Sequence, residues 1–126
     1  MTFFKVLLVG LGGSLGSMAR YISVKTIDGR LNALFPFGTL VVNLAGSFLI
    51  GIIYAVISRK TGQTEHWGTF LGAGFCGGFT TFSAFAYENV SLIQQRMATT
   101  SLLYIAVSIA LGLLAVVAGA TIGKFF

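Results

Sequence analysis

The segment GFCGGFTTFSAF, residues 74–85, lies inside a long apolar run. It nevertheless carries a glycine pair, two threonines, a serine, and phenylalanines at 79, 82 and 85. Each glycine disfavours a helix by about 1 kcal/mol relative to alanine. Within a bilayer, non-helical backbone persists only where protein buries it or where it lines a wet cavity. Two readings of Gly77-Gly78 followed by Thr80-Thr81 stay open. In one, the helix opens near the bilayer midplane, freeing carbonyl oxygens for a hard cation such as Na⁺ and N–H groups for an anion. In the other, the helix is continuous, its glycines mark a tight crossing, and its hydroxyls bond back to carbonyls.

The surrounding chain is a membrane protein by composition. Of its 126 residues, 56% are hydrophobic and 9% charged, with a mean hydropathy of +0.92. A soluble domain usually has about a quarter charged residues. A chain this small buries too little of itself to do without polar surface. About 20 apolar residues span a bilayer, and four segments qualify: 3–24, 37–58, 67–94 and 99–123. Short connections join them, the longest holding Lys25, Asp28, Arg30 and Pro36. The expected architecture is therefore all-α: residues 1–126 as a single four-span membrane domain.

The net charge of +5 comes from eight basic residues against three acids, spread along the chain and adjacent only at Arg59-Lys60, with no stripe that would fit nucleic acid. With four spans, Lys5, Arg59, Lys60 and Lys124 fall on one side, and Arg20, Lys25, Arg30 and Arg96 on the other. Lys and Arg in short flanks normally set orientation, and here four oppose four. Either another factor decides orientation, or copies insert both ways and pair antiparallel, since a symmetric dimer is the commonest oligomer. Cys76 is alone, which leaves no disulfide or thiolate metal site. GLGGSLG in the first span has Leu15 where a dinucleotide loop needs its third glycine, so close helix packing is the better reading.

Polar residues inside the spans are few. Asn43 sits deep in the second span, where an interhelical hydrogen bond is the ordinary use. Tyr104 and Ser108 share a face of the fourth span. Arg20 and Glu88 are ionisable groups inside span ends. Arg20 either snorkels to the interface or lines a positive vestibule; Glu88 pairs across helices or couples to protons. Phe79, Phe82 and Phe85 form a slowly turning stripe interleaved with Thr81 and Ser83. Such a stripe is usually core or lipid-facing. Ring edges are electropositive, however, and could hold a dehydrated anion without a trapping charge.

These residues carry a family resemblance over nearly the whole chain. GFCGGFTTFSAFAYE resembles the GFxGGxTTFSTF signature of the fluoride channels called Fluc (CrcB), GTLVVNLAGSFLIG their second-span motif, and GGSLGSMAR their first. The resemblance implies four transmembrane helices per subunit with the third broken at the glycine pair. It also implies a dual-topology antiparallel homodimer, multi-pass in a bacterial plasma (inner) membrane, with two pores passing F⁻ out of the cytoplasm. By similarity Phe82 and Phe85 present ring edges to fluoride, with Ser83 beside them on the pathway. Asn43 adds a hydrogen bond, Tyr104 and Ser108 continue a polar track, and Arg20 lines the entrance. Also by similarity, the carbonyls of Gly77 and Thr80 from both subunits hold one structural Na⁺ on the two-fold axis. Partners on this reading are the fluoride ion, the lipid bilayer and a second copy of the chain, with no nucleic acid. Ala84 and Gly112 stand where relatives carry hydroxyls, and Phe79 where leucine is common.

A dual-topology, proton-coupled small-molecule exporter is the competing reading. It calls for a glutamate in the first span, where this chain has Arg20 and no acid. An enzyme is not expected, because His66 and three acids form no recognisable constellation.

Overall fold

The computed structural model describes residues 1–60, 62 and 64–126. Six α-helices and one π-helix follow one another, with no strand among the described residues. They are α1 (Phe3–Leu31), α2 (Phe37–Ile57), α3 (Thr64–Gly68), the π-helix Thr69–Cys76, α4 (Gly77–Phe79), α5 (Phe82–Gln94) and α6 (Ala98–Gly123). α1, α2 and α6 are each long and apolar enough to cross a membrane.

Helix α1 begins where the Thr2 hydroxyl accepts from the Lys5 N–H at 3.2 Å, a side-chain cap for an otherwise orphaned donor. It does not stop at Val24. Lys25, Asp28 and Arg30, expected in a connection, lie on its last two turns. Those residues are compatible with helix, so loss of hydrophobicity alone does not end it. Asn32 does, in the left-handed region at φ 47°, with its N–H returning to the Asp28 carbonyl. Asp28 then caps the next helix: its Oδ1 accepts from the Gly38 N–H at 2.9 Å. At 29 residues α1 is about 43 Å long, beyond the ~30 Å of a hydrocarbon core.

Two seams organise the bundle. α1 packs along the π-helix and α4, and α2 packs along α6. Both are built on glycine. A Cβ at Gly16 would strike the Phe75 carbonyl, and one at Gly119 would strike that of Phe48. Such backbone-to-backbone approach maximises van der Waals contact where lipid offers no hydrophobic drive. Leu40, Leu92 and Tyr104 form the buried core between α2, α5 and α6, with Phe85 and Val107 packed against it. Leu7, Leu11, Leu15 and Ile22 on α1 are exposed, as are Leu102, Leu113 and Val117 on α6. Faces this apolar are suited to lipid or to a partner chain.

The ends of the helices are tied by charge. Arg59, just after α2, donates from Nε to the Ala55 carbonyl at 3.1 Å and from Nη1 to the Lys124 carbonyl at 2.8 Å; Nη2 reaches the Gly123 carbonyl. One guanidinium thus closes the C-terminal ends of both α2 and α6, where the carbonyls favour a cation. At the other end of this seam Arg96 takes φ 62° and Met97 N–H reaches the Leu92 carbonyl at 2.8 Å, a Schellman closure of α5. Lys5 pairs with Glu65 and links α1 to α3. That lysine holds the Glu65 carboxyl below the usual carboxylate range.

Candidate functional site

The expected opening of the helix at the glycine pair falls elsewhere. Gly77 is helical at φ −61°, ψ −38°, and α4 runs on to Phe79. The interruption comes at Thr80 (φ −93°, ψ 156°) and Thr81 (φ −148°, ψ 122°), both extended. Upstream, eight residues wind as a π-helix, a loosening frequent near functional sites. β-branched threonine favours extended backbone more than glycine does, and its hydroxyl can replace the bonds a break removes.

Those replacement bonds are explicit. In an unbroken helix the Thr81 N–H would bond to the Gly77 carbonyl. Here it donates to Asn43 Oδ1 at 2.8 Å, while Asn43 Nδ2 donates to the Thr81 carbonyl at 3.1 Å. The Ala84 N–H, which would have served the Thr80 carbonyl, donates instead to Thr81 Oγ1 at 3.1 Å and starts α5. The Gly78 carbonyl receives Arg20 Nε at 2.9 Å. Thr80 bonds back, Oγ1 to the Cys76 carbonyl at 2.8 Å. Three carbonyls, those of Gly77, Phe79 and Thr80, thus lose the donors a continuous helix would send them. They are the oxygens available to a hard cation. Nothing lies within 4 Å of a Cβ built on Gly77, so its surroundings are open.

Beside the break lies a cavity of about 460 Å³ lined by Asn43, Ser47, Cys76, Thr80, Thr81, Phe82, Phe85 and Ile109 among others. The Phe82 and Phe85 rings sit 5.8 Å apart at 47°. Phe82 is 78% exposed, and Phe85 is half-buried. Phe85 presents to Tyr104 at 5.0 Å and 60°, an edge-type contact. Ser83 is exposed with its hydroxyl 3.3 Å from Thr81 Oγ1.

Five of the expected residues gather on one wall, Asn43, Gly77, Thr80, Phe82 and Phe85, and Ser83 adjoins it only through Thr81. The other three are placed less simply. Arg20 is half-buried and tied to Gly78 rather than projecting freely. Tyr104 is fully buried, and its hydroxyl donates to Glu88 Oε1 at 2.8 Å. Ser108 Oγ is buried without a partner among the described residues.

Two networks were not legible in the sequence. Glu88 is held from two helices: Thr39 Oγ1 donates to Oε2 at 2.7 Å and Tyr104 to Oε1. Asn89 Nδ2 donates to the Phe85 carbonyl at 2.9 Å, and Ser101 Oγ donates to Asn89 Oδ1 at 2.8 Å. Their sequence signal is isolated polar residues among apolar ones, which does not name a partner on another helix.

Comparison with known proteins places the chain in a family. The family model described as "CrcB-like protein, Camphor Resistance (CrcB)" matches residues 7–120. The protein of Paracoccus denitrificans called "Fluoride-specific ion channel FluC" is 47% identical over 118 residues, covering 94% of this chain and 93% of its own. Its namesake in Bacteroides fragilis is 42% identical over 125 residues, covering 97% and 98%. That of Flavobacterium psychrophilum is 39% identical over 119 residues, covering 94% and 96%. With several apolar helices able to cross the bilayer and a family match over most of its length, this chain is a multi-pass integral membrane protein that belongs to the CrcB-like family.

Proposed function

We propose that this protein is a fluoride-selective channel that lets F⁻ leave the cytoplasm passively and so confers fluoride resistance. The observation that carries the reading is the pair of rings, Phe82 and Phe85, at a cavity whose remaining lining is neutral. Ring edges attract an anion weakly enough to release it, as conduction requires. The names of its relatives support the choice of ion.

In this reading the run 67–94 crosses the membrane as the third of four spans, interrupted at its centre. Two copies pair antiparallel with dual topology, which suits the four-against-four charge count and the apolar faces of α1 and α6. The carbonyls of Gly77 and Thr80 from one chain are too few to replace the shell of a cation. Gly77 and Thr80 of each of two copies would together supply four oxygens, so Na⁺ belongs between subunits. Bound there it would lock the two breaks together. Asn43 both fixes the break and lines the cavity, while Ser83, Tyr104, Ser108 and Arg20 extend the route.

The proton-coupled exporter reading draws less support, because the Glu88 carboxylate is occupied by two hydroxyls and the first helix offers Arg20 instead of an acid. The test is efflux from liposomes followed with a fluoride electrode, with chloride measured alongside. Fast fluoride release without chloride release is expected, and Phe82→Ile and Phe85→Ile should each slow it at least about tenfold with the dimer intact. Silent liposomes holding a folded dimer would overturn the channel reading. Replacing Na⁺ throughout with a bulky organic cation should suppress flux; indifference would remove the cation site.

A further inference from the structure

Asn89 and Ser101 are a buried side-chain pair that the ion route described above does not use. Asn89 is 7% exposed and Ser101 1%. Every polar atom of such a pair must be satisfied within the protein, and here the arrangement is specific. The Phe85 carbonyl already receives the regular helix bond from the Asn89 N–H, and the Asn89 amide fills its second lone pair at 2.9 Å. The amide oxygen turns to α6 and accepts from Ser101 at 2.8 Å. Ser101 and Tyr104 lie one turn apart on α6, as Phe85 and Asn89 do on α5. The Ser101–Asn89 bond and the Phe85–Tyr104 ring contact are therefore two rungs of one ladder. Sliding α5 along α6 by one turn would break both.

We propose that Asn89 and Ser101 are positioning residues: they fix the register of α5 on α6 and thereby hold the Phe85 ring at the cavity. The inference rests on the reading that Phe85 edges the fluoride path. Neither residue touches the ion. Their effect passes through the ring. Interhelical polar pairs in membranes are modest in energy, so the expected signature is a change in flux larger than the change in stability.

Ser101→Ala leaves the Asn89 oxygen unpaired and frees the register. Fluoride efflux from liposomes should fall roughly tenfold while chromatography still shows the wild-type oligomer. Combined with Phe85→Ile, Ser101→Ala should cause little further loss, because the ring it positions is gone; that non-additivity corresponds to a coupling of about 1.4 kcal/mol. If Ser101→Ala is not recovered folded, Asn89→Leu with Ser101→Ala carries the test. It removes both polar partners together, which is close to neutral for stability, yet it should remain slow and remain coupled to Phe85→Ile. Wild-type flux in these variants would overturn the proposal. Losses that simply multiply with that of Phe85→Ile would also overturn it, as they would mark a general packing role. If Phe85→Ile itself conducts normally, the channel reading of Phe85 fails first and the positioning role falls with it.

Discussion

The α2–α6 seam and the run 64–94 both rely on glycine, yet they behave in opposite ways. Along α2 and α6 the helices are continuous, every interior carbonyl keeps its own N–H, and Gly119 exists to admit the Phe48 carbonyl. In the run 64–94 the backbone widens into a π-helix, then stops at two threonines. What separates the regions is less the glycine content than the polar side chains at hand. The atoms nearest a Cβ on Gly119 are all α2 backbone already engaged in its own helix, with no side-chain donor or acceptor among them. Thr80-Thr81 has Asn43 from α2, and Gly78 has Arg20 from α1. A helix in lipid can be opened where foreign groups take over its hydrogen bonds, and not elsewhere.

The largest effect that would test this contrast is at the seam. Gly119→Leu would drive a side chain into the Phe48 carbonyl with no flexible neighbour to yield. Loss of any folded oligomer on size-exclusion chromatography is expected; a normal oligomer would show that the seam is not closely held. Next is the break itself. Asn43→Leu leaves the Thr81 N–H and carbonyl unpaired in apolar surroundings, at a cost of about 3 kcal/mol. A lower thermal midpoint and lost fluoride flux are expected, and flux surviving at the wild-type rate would mean that the break supports itself. A smaller change should follow Arg59→Ala, which uncaps the ends of α2 and α6. About 1 kcal/mol is expected, read as a reduced midpoint with flux unchanged; a flux defect would tie the helix ends to conduction.

The smallest concerns Glu65. Its pKa is lowered when folded, so the pairing with Lys5 contributes above the ordinary carboxylate range and is lost as pH falls through the lowered value. Because Glu65 is exposed, Glu65→Gln should shift the midpoint barely, and not at all in high salt. A large shift would make the α1–α3 link as important as the seams.

Much of this was readable from residue order. Three long apolar runs became α1, α2 and α6, and Gly77, Thr80, Phe82 and Phe85 line one cavity. Two readings needed correcting. The helix carrying Lys25, Asp28 and Arg30 continues because charge by itself stops no helix; Asn32 does. The opening moved from the glycines to the threonines because Asn43 lies opposite Thr81, and no local rule could know what lay opposite.

By itself the sequence determined the membrane class, the helical content and the residue types available for ion chemistry. These follow from hydropathy summed over neighbours and from hydrogen bonds spanning four residues, both local quantities. Only the tertiary structure decided which carbonyls are released, that Asn43 spans 38 positions to clasp Thr81, and that Ser101 meets Asn89. Those choices depend on the register between packed helices, which glycine contacts set at a distance in sequence. In lipid each backbone bond given up must be repaid across that register or not at all.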